Sequence, residues 1–127
     1  MNNWLFFIFL FLFSCHDTPY VQGKRLYQSQ CAHCHMDDGS GLSNLIPDLK
    51  KSTLTRQPEF VCLLVNGKKD SIISGDTYIL KEMPSFRHLS TTEMANIINY
   101  INHAWFDHFR EKTITETSQE VKSCRNN

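Results

Sequence analysis

Residues 31–35 read Cys-Ala-His-Cys-His: two thiols three positions apart, with an imidazole directly after the second. On a helix, side chains at i and i+3 lie on neighbouring turns, roughly 5–6 Å apart between Cβ atoms, so both sulfurs can engage one object. A dithiol redox couple uses such a pair, but in a strand–helix setting, and no βαβ pattern surrounds this one. A tetrahedral zinc site uses such a pair too, with further Cys or His ligands at similar spacing. Of the five cysteines, however, Cys62 and Cys124 stand alone and supply no second ligand pair.

The histidine after the second thiol completes the haem-attachment signature Cys-x-x-Cys-His. Each thiol adds to a different vinyl group of the porphyrin, and the next residue, His35, points its ring at the iron. A metal-bound histidine usually donates its other ring N–H to a nearby acceptor. Taken alone, the pentapeptide leaves the three chemistries open; the rest of the chain decides.

The N-terminus bears on the compartment. Trp4 to Phe13 is an unbroken apolar run of ten residues, half of the about 20 that a membrane-spanning helix needs, and of a length that suits the apolar region of a secretory signal. Leu12-Phe13-Ser14-Cys15 resembles a bacterial lipobox, which implies cleavage before Cys15 and a lipid on that cysteine. Phe13 is bulkier than that pattern's usual residue, and Met1-Asn2-Asn3 lacks Lys and Arg. The same run also fits an ordinary signal peptide cut near Cys15, or a short uncleaved anchor. The expected organisation is a signal peptide over 1–14, a lipidated Cys15 with a tether over 15–19, one domain over 20–106 and a polar tail over 107–127. The expected location is the periplasmic face of a bacterial membrane. The 127 residues carry 13 basic and 13 acidic side chains, which gives no bulk electrostatic attraction to nucleic acid. In an oxidising compartment Cys62 and Cys124 could pair, or Cys62 could be a buried residue of the apolar stretch 60–64; spacing does not fix connectivity.

Helical spacing places Gly23, Leu26 and Tyr27 on one face of a helix over 20–29. A glycine there costs up to about 1 kcal/mol, so another backbone is expected against it. Residues 37–56 read as loop. A short helix follows over 58–65, with Pro58 near its start and Asn66-Gly67 at its end. Residues 68–81 read as irregular or extended, with no convincing strand pairing. Met83-Pro84-Ser85-Phe86 is a stiff, non-helical step. Ser90-Thr91-Thr92-Glu93 fits a capping box, and Met94, Ile97, Ile98, Ile101 and Trp105 recur at helical spacing behind it.

Together these features resemble class I cytochrome c, the small monohaem electron carriers, over nearly the whole mature chain. The matching residues are Gly23 and Tyr27; Cys31, Cys34 and His35; Gly39 and Gly41; Pro47 and Leu49; Met83 to Phe86; and Tyr100-Ile101. The resemblance implies a small all-α fold of roughly three to five helices around one covalent haem c. It implies thioethers at Cys31 and Cys34, axial iron ligands His35 and Met83, and terminal helices crossing at Gly23. It also has the Pro47 carbonyl holding the His35 ring N–H. Pro47, Leu49 and Tyr78 are expected in the haem pocket, with Arg56, Tyr78 and Arg87 as candidate cover for the propionates.

Thioether sulfur is a soft, neutral ligand that favours Fe(II), and with both axial positions filled the remaining activity is outer-sphere electron transfer. Of the other methionines, Met36 adjoins His35 and Met94 lies on a buried helix face; His88 is the rival distal ligand. His33, between the cysteines, and His16, His103 and His108 read as surface residues. Lysines 50, 51, 68, 69 and 81 form either a docking rim or an ordinary solvated face. The expected function is a membrane-tethered, single-electron carrier serving redox proteins, an electron-transfer protein and not an enzyme. The alternatives are a fixed electron-transfer subunit of a larger complex, and a haem peroxidase or gas sensor should Met83 be labile.

Overall fold

The structure, a computed structural model, describes residues 20–125. The signal-peptide, lipidation and tether readings for residues 1–19, and His16 with them, lie outside the described residues. In chain order the elements are α1 (Val21–Gln30), α2 (Ala32–His35), two 3₁₀ turns (Leu49–Lys51 and Leu54–Arg56), α3 (Glu59–Asn66), β1 (Lys68–Ser74), β2 (Thr77–Met83), α4 (Thr91–Trp105) and α5 (Ile114–Arg125). No helix among the described residues is long and apolar enough to cross a membrane.

The frame is the crossing of α1 on α4. A Cβ at Gly23 would run into the Asn96 carbonyl and stand 2.7 Å from the Tyr100 Cβ, so only glycine permits this approach. One turn on, the fully buried Tyr27 packs its ring 5.5 Å from Tyr100 and 5.4 Å from Trp105. The backbone partner expected at Gly23 is therefore α4.

Helix α4 begins with the capping box its sequence announces: Ser90 Oγ accepts from the Glu93 N–H at 3.2 Å, and Glu93 Oε2 accepts from the Ser90 N–H at 2.8 Å. Its stripe of Met94, Ile97, Ile98 and Ile101 is buried in the core with Phe60, Val61, Leu64 and Val65 of α3. A Ser90→Ala variant is expected to lose about 1 kcal/mol, read as a fall of roughly 4–8 °C in the thermal midpoint. Helix α3 has Pro58 as its N-cap and Gly67 as its C-cap, as its flanking residues require.

Two expectations need correction. Over residues 68–81 the extended alternative holds, but the strands do pair: β1 and β2 run antiparallel in register from Lys68↔Met83 to Ser74↔Thr77, closed by Gly75-Asp76. The all-α reading thus holds for the helical core, with a two-stranded sheet added. A Gly-Asp pair between β-prone runs is itself a hairpin signal. It was obscured because Ile72-Ile73 and Tyr78-Ile79-Leu80 are apolar runs without clean alternation.

The segment 107–127 is also not simply a fraying polar tail. It holds α5, opened by a second capping box in which Thr113 Oγ1 accepts from the Glu116 N–H at 3.1 Å and Glu116 Oε2 accepts from the Thr113 N–H at 2.9 Å. Thr117, Val121 and Cys124, spaced i, i+4, i+7, are buried, and Cys124 forms a disulfide with Cys62 of α3 across a Cα–Cα distance of 5.1 Å.

Candidate haem site

Cys31 closes α1 and opens the single turn of α2, where the His35 N–H donates to the Cys31 carbonyl at 2.9 Å and the Cys34 N–H to the same oxygen at 3.1 Å. That turn is what sets the two sulfurs and the imidazole in sequence along one stretch of surface. Cys31 is buried and Cys34 exposed, and both thiols are free. Burial, and then the neighbouring Cys34, push the Cys31 thiol up to about 11. A dithiol oxidoreductase needs the opposite, a depressed pKa that supplies thiolate near neutrality.

His35 Nδ1 lies 3.3 Å from the Pro47 carbonyl oxygen. A carbonyl can only accept, so this contact puts the ring proton on Nδ1 and leaves the lone pair on Nε2, the form a metal requires. Burial lowers the His35 pKa, the bond to Pro47 opposes it, and the charge of Lys81 lowers it further. The neutral ring is thus favoured.

Pro47 reaches this position through a tightly folded loop. Gly41 has φ +67°, and a Cβ there would collide with the Ile46 carbonyl and stand 2.6 Å from the Pro47 oxygen. The Gly41 N–H donates to the His35 carbonyl at 3.0 Å, and the Leu49 N–H to the Gly39 carbonyl at 2.8 Å. Tyr27 Oη donates to the Met36 carbonyl at 2.6 Å, tying the loop to α1. Leu49 is buried, in keeping with an apolar pocket wall.

Met83 ends β2, half-buried and packed against the core. Its strand comes back to the His35 loop, since Lys81 Nζ donates to the Asn44 carbonyl at 3.3 Å. Alternation along β2 puts Ile79, Lys81 and Met83 on one face. Beyond Met83 the chain is clamped to the end of α3. The Phe86 N–H donates to the Leu64 carbonyl at 2.8 Å, and Ser85 Oγ to the Val65 carbonyl at 2.6 Å.

The remaining candidates fall elsewhere. Met94 is fully buried in the core, while His33, His88, His103 and His108 are exposed. Arg87, a candidate for propionate cover, instead donates to Val65 O and to Asn66 Oδ1, the latter at 2.6 Å. Arg56 lies over the Phe106 ring at 4.7 Å. Tyr78 pairs through its backbone with Ile73 near the hairpin turn; the pocket role read for it concerns a side chain outside the described set. Four of the five candidate docking lysines face acids: Lys50 Asp38, Lys51 Asp48, Lys68 Asp70 and Lys69 Glu82. This is the pattern of an ordinary solvated face.

The residues present fit a covalently held haem. Two free thiols adjoin an imidazole whose Nδ1 is taken up by Pro47, and a half-buried thioether ends the strand that returns to the imidazole's loop. Such donors would suit a His/Met-ligated c-type haem. Leu42 and Ile79, 49% and 36% exposed, leave apolar surface open on the segments that carry His35 and Met83. Sequence reasoning missed the contacts that position Met83, namely Lys81 to Asn44 and residues 85–87 to α3, because main-chain acceptors leave no residue-type signature.

Comparison with known proteins places this geometry in context. Residues 20–105 match the cytochrome c family. Cytochrome c-552 of Thermus thermophilus is 31% identical over 113 residues, covering 83% of this chain and 85% of that protein. The cytochrome c subunit of a quinone alcohol dehydrogenase from Gluconobacter oxydans is 32% identical over 88 residues, covering 65% of this chain. The chain spans only 18% of that subunit's length.

Proposed function

The chain belongs to the cytochrome c family, and from that membership we propose that it is a single-electron carrier whose iron is held between His35 and Met83. The family's cofactor is one covalent haem c, which supplies a one-electron Fe(III)/Fe(II) couple. Cys31 and Cys34 would hold it by thioethers. His35 would present Nε2 to the iron while the Pro47 carbonyl fixes the ring's orientation and tautomer. Met83 would present a soft sulfur from the end of β2. The observation that carries this reading is the 3.3 Å contact between His35 Nδ1 and Pro47 O, which frees the one nitrogen the chemistry uses.

The test is the optical spectrum of the purified holoprotein. The oxidised form is expected to show the weak far-red band of an iron–thioether bond. Met83→Ala is expected to abolish that band, admit CO to the reduced iron, and lower the reduction potential on the order of 0.1 V, within the roughly 0.8 V that axial ligands span. A wild-type protein without the band, binding CO freely, would transfer the reading to a peroxidase or gas sensor.

The membrane belongs to the same proposal. A lipid on Cys15 would leave about five residues before α1, a reach of at most roughly 17 Å, and so favour membrane-bound redox partners. Lengthening residues 16–19 should then slow electron delivery in membranes while leaving the spectrum unchanged; unaltered turnover removes the tether from the account. The likeness to a subunit of a quinone alcohol dehydrogenase supports a second reading, a fixed electron-transfer subunit, which co-purification of a stable partner would favour.

A further inference from the structure

We infer that α5 is a brace for Met83, acting through the Cys62–Cys124 disulfide and the body of α3; the inference rests on Met83 being the distal ligand. It begins with the end of α3. Carbonyls in a helix's last turn have no partner within the helix, and here the chain after Met83 takes them. Leu64 O receives the Phe86 N–H at 2.8 Å, and Val65 O receives Ser85 Oγ at 2.6 Å and Arg87 Nε at 3.2 Å. Any displacement of α3 therefore moves the loop that carries Met83.

Helix α3 has eight residues, too few to be stable without tertiary support. Part of that support comes from outside the family-matched residues 20–105. Half-buried Cys62, near the middle of α3, is bonded to buried Cys124 of α5. Helix α5 is itself firmly placed. Buried Asn99 of α4 bonds both backbone groups of Lys112, donating to its carbonyl at 2.9 Å and accepting from its N–H at 2.8 Å. The Lys112 side chain, 10% exposed, pairs with Glu120 at 2.6 Å. The cross-link spans a sequence separation of 62 residues, and the covalent loop it closes contains the hairpin, Met83 and α4. Freeing Met83 means releasing the loop from α3, a local opening. The disulfide restricts the movement of α3 that would accompany it.

The test compares wild-type holoprotein with Cys62→Ser/Cys124→Ser and with Val121→Ala, which loosens α5 without touching the bond. Added imidazole, which takes the iron position vacated when the thioether leaves, reads the opening directly. Amide exchange at Phe86 reads the loop–α3 clamp, and exchange at Ile98 in the core of α4 reads global stability. Removing a cross-link over a long loop also relaxes the unfolded chain, so Ile98 accelerates too while staying slower than Phe86; the double variant is expected to bind imidazole about tenfold more tightly and to exchange Phe86 about tenfold faster. Val121→Ala should shift both in the same direction by less, and it carries the test should the double variant not accumulate. Unchanged imidazole affinity overturns the inference, as does Phe86 exchange that stays at the wild-type rate or becomes equal to that of Ile98. Absence of the far-red band in wild type would sink the Met83 reading instead, and Phe86 exchange would then decide by itself whether α5 braces the loop.

Discussion

Gly23→Ala is expected to destabilise the protein by roughly 3 kcal/mol, the reverse of what the same exchange does in an ordinary helix. Replacing an interior helix glycine by alanine normally stabilises by about 1 kcal/mol. Here the added Cβ itself would meet the Asn96 carbonyl and lie 2.7 Å from the Tyr100 Cβ. Neither is the end of a flexible side chain, so α1 must move off α4. That movement also opens the contacts of Tyr27 with Tyr100 and Trp105 and strains the Tyr27 bond to the loop beyond His35. Against a typical total of about 5–15 kcal/mol, the thermal midpoint should fall by more than about 10 °C and the yield of folded holoprotein should drop. Lys24→Ala, at the exposed neighbouring position, should leave both nearly unchanged. A Gly23→Ala midpoint equal to wild type would show that the helices do not cross here.

The same residue illustrates what the sequence makes legible. A glycine on an apolar helical face has few explanations, and close backbone approach is the commonest. Ser90 and Glu93 announce α4 in the same local way, because a capping box is satisfied within four residues. Cys31, Cys34 and His35 are legible because their chemistry fixes their spacing. What the sequence leaves open depends on distant partners. The pairing of Cys62 with Cys124 joins segments 62 residues apart, and nothing near either cysteine encodes the other. Thr113 and Glu116 do form a local capping box, but the helix behind them has only a thin apolar stripe of Val121 and Cys124, so composition pointed to a tail. Arg87 reads equally well as an anion partner or a helix clamp, and only the α3 carbonyl chooses between them.

The other large effect concerns attachment of the cofactor. A Cys31→Ala/Cys34→Ala protein, produced beside a competent haem-attachment machinery, is expected to carry no haem that survives denaturation, against one haem per wild-type chain. The coordination proposed for His35 and Met83 would depend on the fold that returns β2 to the loop after His35, and unfolding would separate them; a thioether persists because it is covalent. Each single variant should retain haem through its remaining thiol, at reduced yield. Cys31 is buried at the α1–α2 junction, whereas Cys34 is exposed, so Cys31→Ala also leaves a small void and should be the more damaging of the two. Cys62→Ser/Cys124→Ser is the control: those sulfurs are already bonded to each other, and their loss should leave the covalent colour intact. Haem staining of a denaturing gel therefore separates the two pairs of cysteines. A coloured band from the Cys31→Ala/Cys34→Ala chain would mean that the attachment lies elsewhere, and the roles of His35 and Pro47 would lose their basis with it.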